Sequence, residues 1–332
     1  MKTASRVELT PKDILQLVSP EMVKVEEELK EIARFSPSLI HDINLYLHNS
    51  GGKRLRPALL LLASRLCDYQ GAAAVKLGVV IELMHVATLV HDDIIDNAEV
   101  RRGHASVRSR WGNEITVLMG DWLYMTSFQL ALDQRNFQVL DLLIDVARKM
   151  VEGELMQLKR KGDIAVSIDD HLDICRHKTA ALFGACGRLG AILGEADTHL
   201  EEQLEIYGTS LGMAFQLIDD LLDYTSDEGV LGKPVLKDLE EGKVTLPIIF
   251  LMQRANPSEQ EFLREVVDGK NFSAENKQEI IRLVGSHGAL EELHDLAGQY
   301  AGRAGRSMEH FPESIYRQAL LALPDMVLCR DR

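Results

Sequence analysis

A chain of 332 residues, 46% of them hydrophobic, is long enough to bury a large core, and no break in composition divides it into domains. Its net charge of −14 and pI of about 5.3 argue against the basic footprint of a usual nucleic-acid binder. Cys67, Cys175, Cys186 and Cys329 lie far apart, with no C-x-x-C and no Cys/His cluster, so neither a disulfide framework nor a zinc site is expected, and a reducing, cytoplasmic setting fits. Met1 to Pro11 has no apolar core of the secretory kind. The longest apolar runs, such as Val79 to Val90 and Val244 to Met252, fall short of ~20 residues or carry Glu, His or Pro, so no membrane span is expected. Low aromatic content (5%), abundant Leu, Ala, Ile and Glu, and scarce period-two alternation point to an all-α fold.

In chain order, residues 12–47 read as one or two amphipathic helices, with Ile14, Leu17, Val18, Met22, Val25, Leu29 and Ile32 at three- and four-residue intervals. Asn49-Ser50-Gly51-Gly52 breaks that pattern, and Pro57 suits the first turn of a helix over Ala58 to Cys67. Lys53, Arg54 and Arg56 at this helix start form either a solvated basic turn or an anion site. Ala72 to Asp96 reads as a long helix, apolar nearly all round and therefore buried. His85 sits two turns before Asp92 on roughly the same face, either as a structural hydrogen-bonder or as a ligand. Asn97 to Ser106 is a loop with Arg101-Arg102-Gly103-His104, and the paired arginines suit bidentate phosphate binding. Helices are expected over Gly120 to Leu132 and Phe137 to Lys161. Ser167-Ile168-Asp169-Asp170 reads as a capping box for a helix over Leu172 to Leu193. That helix holds Lys178-Thr179-Ala180 and the small-residue run Gly184-Ala185-Cys186-Gly187. After a helix over Leu200 to Tyr224, the segment Thr225 to Thr245 brings Lys233, Lys237 and Lys243 with Gly229, Gly232, Pro234 and Gly242, as a lid or an ordinary surface loop. Leu246 to Arg332 offers further amphipathic helices and no chemistry.

Two D-D-x-x-D triplets stand out, Asp92-Asp93-Asp96 and Asp219-Asp220-Asp223, each at the end of an apolar stretch. At ~100° per residue the first and fifth positions share a face. Two carboxylates ~5 Å apart repel by about 0.8 kcal/mol in water and about 3 kcal/mol at an effective dielectric of ~20, so a repeated pattern calls for a neutralising cation. Oxygen-rich sets select hard divalent ions, Mg²⁺ in particular, held by one or two carboxylates, waters and substrate phosphates. With the basic segments between and around them, they suit a diphosphate leaving from a hydrocarbon. No G-x-S-x-G, H-E-x-x-H, Walker or G-x-G-x-x-G motif competes.

These residues carry a resemblance. From about Pro20 to its C-terminus the sequence resembles the trans-type isoprenyl diphosphate synthases, the polyprenyl synthetase group. The matching motifs run in order through Gly51-Gly52-Lys53-Arg54-Leu55-Arg56-Pro57, Glu82 to Asp96, Arg101-Arg102-Gly103, Gly120-Asp121, Lys178-Thr179-Ala180, Phe215 to Tyr224, Gly232-Lys233-Pro234 and Glu241-Gly242-Lys243. The resemblance implies one all-α domain over residues 1–332, helices around a deep central cavity, and a homodimer with at most peripheral membrane contact and no nucleic acid. It implies head-to-tail condensation of isopentenyl diphosphate with an allylic diphosphate, and three Mg²⁺ per substrate-bound site. Asp92, Asp96 and Asp219 would then ligate metal, supported by Asp93, Asp220 and Asp223. Lys53, Arg56, His85 and Arg102 would hold isopentenyl diphosphate; Arg101, Lys178, Thr179, Gln216 and Lys233 would hold the allylic diphosphate or steady the cation. The catalytic set is Asp92, Asp96, Asp219, Lys178 and Lys233, with the released pyrophosphate taking the proton.

Short-product members of that group place bulk at or beside the fifth position before the first aspartate. Here Met84, Ala87 and Thr88 leave the wall open, with Phe128 and Leu132 as a floor, so a C30 to C50 product is expected. Alternatives are a farnesyl or geranylgeranyl diphosphate synthase, a class I terpene cyclase, which usually carries a different second motif, and a regulatory subunit of a heteromeric synthase, in which the aspartates are generally lost.

Overall fold

A computed structural model describes residues 9–225 and 235–330 of the chain. The Thr10 hydroxyl caps α1 (Pro11–Gln16) by accepting the Asp13 amide N–H, and the Asp13 carboxylate accepts the Thr10 amide in return. α2 (Ser19–Arg34) and α3 (Ser38–Asn49) follow, so the stretch read as one or two helices contains three. The reason is local: Pro20 lies in the first turn of α2 and Pro37 immediately precedes α3, and proline lacks the N–H that a helix interior needs. α4 (Leu55–Leu66) has Pro57 in its first turn, as expected. α5 (Ala73–Ile95) matches its predicted span to one residue at each end. By length and composition α5 could cross a membrane, but 67% of its most apolar window is buried inside the protein, which makes it a core helix.

Beyond α5, the predicted loop contains a short hairpin, β1 (Val100–Arg101) paired antiparallel with β2 (His104–Ala105). Its two turn residues, Arg102 and Gly103, have φ of 52° and 80°, the paired positive values of a tight primed turn. α6 (Val107–Trp111) ends at Gly112, whose φ of 84° redirects the chain into α7 (Asn113–Asp133). α7 therefore starts seven residues before its predicted Gly120, and its extra turns bury Thr116 and Met119. α8 (Phe137–Lys159), α9 (Ile168–Cys175), a π turn (Arg176–Ala180), α10 (Ala181–Leu193) and α11 (Thr198–Thr225) come next. The capping box at Ser167 and Asp170 is present, but the helix behind it is interrupted by the π turn. The chain finishes with α12 (Lys237–Glu240), α13 (Leu246–Arg254), α14 (Pro257–Asp268), α15 (Ala274–Ser286), α16 (Ala289–Ser307) and α17 (Ile315–Leu328). The fold is all-α; the hairpin is the only sheet among the described residues.

The chain divides into two compact units. The first takes Met1–Ala147, Ala185–Glu205 and His310–Leu320; the second takes Arg148–Gly184, Ile206–Glu309 and Leu321–Arg332. In the first, α5 packs against α7, α4 and α2, burying Leu77, Val80, Ile81, Met84, Ala87 and Val90. The small-residue run of α10 permits close packing: a Cβ on Gly187 would overlap the Leu204 carbonyl. In the second, α13 packs against α16, α15 and α9, and the rings of Phe183 and Phe215 lie 5.4 Å apart.

Candidate active site

In the first unit, Asp92 and Asp93 occupy the last turn of α5 and Asp96 is its C-cap residue, donating its amide to the Asp92 carbonyl at 2.8 Å. Asp93 is 3% exposed and accepts a 2.8 Å hydrogen bond from Arg101 Nε on β1. Arg101 is thus tied to the acidic motif itself. Opposite α5, the Tyr124 ring stacks between His91 (6.1 Å) and Phe128 (6.3 Å), and burial together with the Asp92 charge pushes its phenol far above the ordinary tyrosine range. His91 Nε2 lies 3.2 Å from the Val117 carbonyl and 3.4 Å from an Asp121 oxygen. A Cβ on Gly120 would overlap the His91 ring, so Gly120 is what lets this imidazole lie against α7. Met84 and Ala87 are fully buried, Thr88 is half-buried with its hydroxyl donating to the His85 carbonyl, Phe128 is half-buried, and Leu132 is 38% exposed.

The basic groups gather beside them. Arg54, in the left-handed region at φ 48°, donates to Glu26 at 2.7 Å and to the buried Glu82, and although burial opposes it, the charges of these carboxylates raise its pKa. Burial and the charges of Arg56, Arg102, Arg54 and Arg101 hold His85 well below the ordinary histidine range. An uncharged imidazole ringed by four guanidiniums is an electropositive environment suited to a diphosphate. Arg102 donates to the Gly51 carbonyl, and a groove lined by Tyr46, Ser50, Arg54, Asp93, Arg101 and Arg102 opens alongside. Lys53 is exposed on the loop before α4.

In the second unit the last turns of α11 carry the other triplet. Asp220 is 2% exposed; its Oδ1 accepts Gln216 Nε2 at 2.9 Å, and Gln216 Oε1 in turn accepts the Thr179 hydroxyl at 2.8 Å. Asp223 accepts the backbone amides of Lys237 (3.1 Å) and Asp238 (3.2 Å). Burial, outweighing those two hydrogen bonds, and the neighbouring carboxylate charges keep Asp223 and Asp238 above the usual carboxylate range. Asp219 Oδ1 accepts Arg330 Nη1 at 2.7 Å, and the Arg330 guanidinium lies 4.7 Å from the Phe215 ring centre. The expectation of no chemistry after Leu246 did not include this contact; with 111 residues between the partners, no local pattern exposes it. Lys178 pairs with Glu154 and donates to Gln157 at 2.8 Å, so its ammonium rests on α8. The Lys237 and Lys243 ammoniums both rest on Glu241, and what reaches Asp223 is the Lys237 backbone N–H. Lys233, with Gly229, Gly232 and Pro234, lies outside the described residues. A group absent from the sequence reading also emerges: His171 and Cys175, one turn apart on α9, meet Asp220, although the sequence reading found no Cys/His cluster.

The triplets fit hard divalent cations on two observations. Asp219 already takes a cationic partner in Arg330, and burial, with the charges of Asp220 and Glu241, raises the proton affinity of Asp223, the behaviour of oxygen ligands short of positive charge. An all-α fold with two D-D-x-x-D helix ends and an arginine-rich anion environment is the arrangement of enzymes that act on diphosphates. Comparison with known proteins agrees. The Polyprenyl synthetase family model matches residues 37–284. The chain is 34% identical to octaprenyl diphosphate synthase of Escherichia coli (strain K12) over 319 residues, covering 96% of this chain and 98% of that one. Among solved structures, a decaprenyl diphosphate synthase from Rhodobacter capsulatus superposes with a TM-score of 0.91 at 35% identity, covering 97% of this chain and 99% of that one. A polyprenyl synthase from Caulobacter crescentus CB15, complexed with calcium and isoprenyl diphosphate, gives 0.90 at 34%, covering 96% and 97%. The chain belongs to the polyprenyl synthetase family, and it is a prenyltransferase.

Proposed function

We propose that this protein lengthens an allylic diphosphate by successive head-to-tail additions of isopentenyl diphosphate, releasing a trans-polyprenyl diphosphate of C30 to C50. The observation that carries the length assignment is the wall of α5: Ala87 is buried with only a methyl side chain, ~7.5 Å along the helix from Asp92 at 1.5 Å per residue. The likeness to octaprenyl and decaprenyl synthases over nearly the whole chain supports the same range.

In this reading Asp92, Asp96 and Asp219 would hold Mg²⁺, three ions per substrate-bound site, which would supply positive charge to offset the charge developing on the departing pyrophosphate. Asp93, Asp220 and Asp223 orient that set: Asp93 is fixed by Arg101, Asp220 by Gln216 and His171, and Asp223 by two backbone amides. Lys53, Arg56 and Arg102 hold isopentenyl diphosphate beside the neutral His85, whose uncharged ring donates or accepts without adding repulsion among the guanidiniums. Arg101, Lys178, Thr179, Gln216 and Lys233 serve the allylic diphosphate or steady the cation, with Thr179 donating to Gln216 and Gln216 donating to Asp220. Met84, Ala87 and Thr88 with Phe128 and Leu132 limit how far the hydrocarbon extends. Exposed Val117, Leu118, Met125 and Leu132 on α7, with Phe137 and Ile144 on α8, support a homodimer in which this apolar surface is covered. The setting is cytoplasmic, with at most peripheral membrane contact and, at net charge −14, no nucleic acid.

The test is incubation of the pure protein with Mg²⁺, labelled isopentenyl diphosphate and a series of allylic primers, followed by analysis of the dephosphorylated products. A ladder ending between C30 and C50 is expected. Products stopping at C15 or C20 would overturn the length assignment, and a hydrocarbon formed without isopentenyl diphosphate would overturn the transfer itself.

A further inference from the structure

His171 and Cys175 stand one turn apart on the same face of α9, and Asp220 of α11 meets them from the neighbouring helix. All three are deeply buried, at 5%, 3% and 2% exposure. His171 Nε2 lies 2.9 Å from Asp220 Oδ2 and 3.3 Å from Cys175 Sγ, and the nitrogen, sulfur and oxygen all fall within 4.8 Å of one another. In a proton relay of the Cys-His-Asp kind, sulfur and carboxylate address opposite nitrogens of the ring. Here both converge on Nε2, and a single N–H cannot point along both directions. Convergence of three unlike donors on one point is the geometry of a ligand set.

We propose that His171, Cys175 and Asp220 form a binding site for a borderline-soft divalent ion of the Zn²⁺ type, separate in chemistry from the carboxylate sites that take Mg²⁺. An imidazole, a thiolate and a carboxylate suit Zn²⁺ or Co²⁺ in a tetrahedral arrangement, whereas Mg²⁺ takes oxygen ligands. Around such an ion, with bonds of ~2.0–2.3 Å, donor atoms sit roughly 3.3–3.6 Å apart, so the metal-free trio opens by a few tenths of an ångström along its two short edges, and its sulfur–carboxylate edge, within 4.8 Å, closes by roughly 1.2 Å at most. Asp220 is already oriented for the task, since Gln216 holds its other oxygen and Thr179 holds Gln216. Ala180 and Met213 pack against Cys175, with Leu172 and Tyr300 beyond, so the trio sits in an apolar shell. The π turn Arg176–Ala180 follows Cys175 directly, and its departure from the regular helical ladder gives this segment a place to open for an incoming ion. On binding, the Cys175 thiol and the His171 Nε2 each release the proton they carry to solvent, so that sulfur ligates as thiolate and nitrogen through the lone pair of the neutral ring. Occupancy would also draw Asp220 away from the second aspartate triplet and so depress prenyl transfer; that consequence, unlike the binding, rests on the function proposed above.

Metal-free full-length protein is titrated with Co²⁺ in the absence of substrate, then with Zn²⁺. The expected result is one Co²⁺ per chain with a sulfur-to-cobalt charge-transfer band in the near ultraviolet, displaced by stoichiometric Zn²⁺ and resistant to millimolar Mg²⁺. Cys175→Ser should abolish the band, His171→Gln should weaken Co²⁺ binding at least tenfold, and Cys329→Ser, at an exposed cysteine, should leave it intact. Absence of the band in the unaltered protein overturns the proposal without any variant having to fold. So does a band that survives Cys175→Ser, is unweakened by His171→Gln, or disappears with Cys329→Ser. Because no substrate is present, failure here leaves the prenyl-transfer reading standing, and an inactive protein that shows the band would leave this site standing instead.

Discussion

At the scale of single residues, the second triplet shows three carboxylates in three states. Asp220 is buried and fully engaged by side chains, Asp223 is held by backbone amides with its pKa raised, and Asp219 is paired with Arg330. Asp219→Asn should lower kcat/KM by roughly 10²–10³, the loss expected when one metal ligand worth several kcal/mol is removed, measured by steady-state incorporation of labelled isopentenyl diphosphate. On the proposed function, Arg330→Ala removes a guanidinium that would compete with metal for Asp219. A partly exposed pair of this kind is worth about 0.5–1 kcal/mol, so the apparent Mg²⁺ affinity should rise about two- to five-fold in a Mg²⁺ titration of activity, while the metal-free Tm falls slightly. Asp223 gives a pH prediction. Its folded pKa is raised to about 6 from 3.8, so between those values the folded state holds a proton that the unfolded state has released. Stability of the metal-free protein therefore falls as pH rises through that window, and Asp223→Asn should recover on the order of 1–2 kcal/mol at pH 7 in denaturant melts while impairing turnover. A metal-free protein whose stability rises over that window would refute the assignment. The aspartates were legible from the sequence because like charges at helical spacing have no stabilising use of their own. Arg330 was not, because its partner is 111 residues away.

Among the elements, α5 was read almost to the residue, since its apolar positions run without interruption and Asp96 caps its C-terminal end. α7 was read short, since Gly112 and the polar residues around it disguise a helix start that depends on packing against α5. The π turn was invisible, because Arg176 to Ala180 is compatible with a regular helix and the extra residue per turn leaves no mark on hydrophobic periodicity. The interior face of α5 carries the prediction at this scale. Ala87→Tyr should shift the product ladder down by at least two isoprene units with little loss of total incorporation, read on a chain-length gel. An unchanged ladder would mean that the hydrocarbon does not run along this helix.

For the whole molecule, helical composition and the order of the motifs were enough to anticipate the all-α fold and the family. What self-association the chain undergoes depends on surface, and sequence periodicity does not separate a buried stripe from an exposed one. Val117, Leu118 and Met125 on α7 are exposed at 43%, 67% and 62%, a concentration of apolar area that a solvated face seldom carries. Sedimentation should give twice the chain mass of 37.1 kDa, and Leu118→Glu with Met125→Glu should shift it toward one chain mass; a monomeric parent protein would sink the dimer assignment. The Arg330–Asp219 pair also matters at the bench. The Arg330 guanidinium holds the Asp219 carboxylate and lies 4.7 Å from the Phe215 ring centre, so any change that displaces it alters the electrostatics of the second aspartate triplet. Rate constants and ion requirements taken on preparations altered at or beside Arg330 would describe that alteration as much as the enzyme.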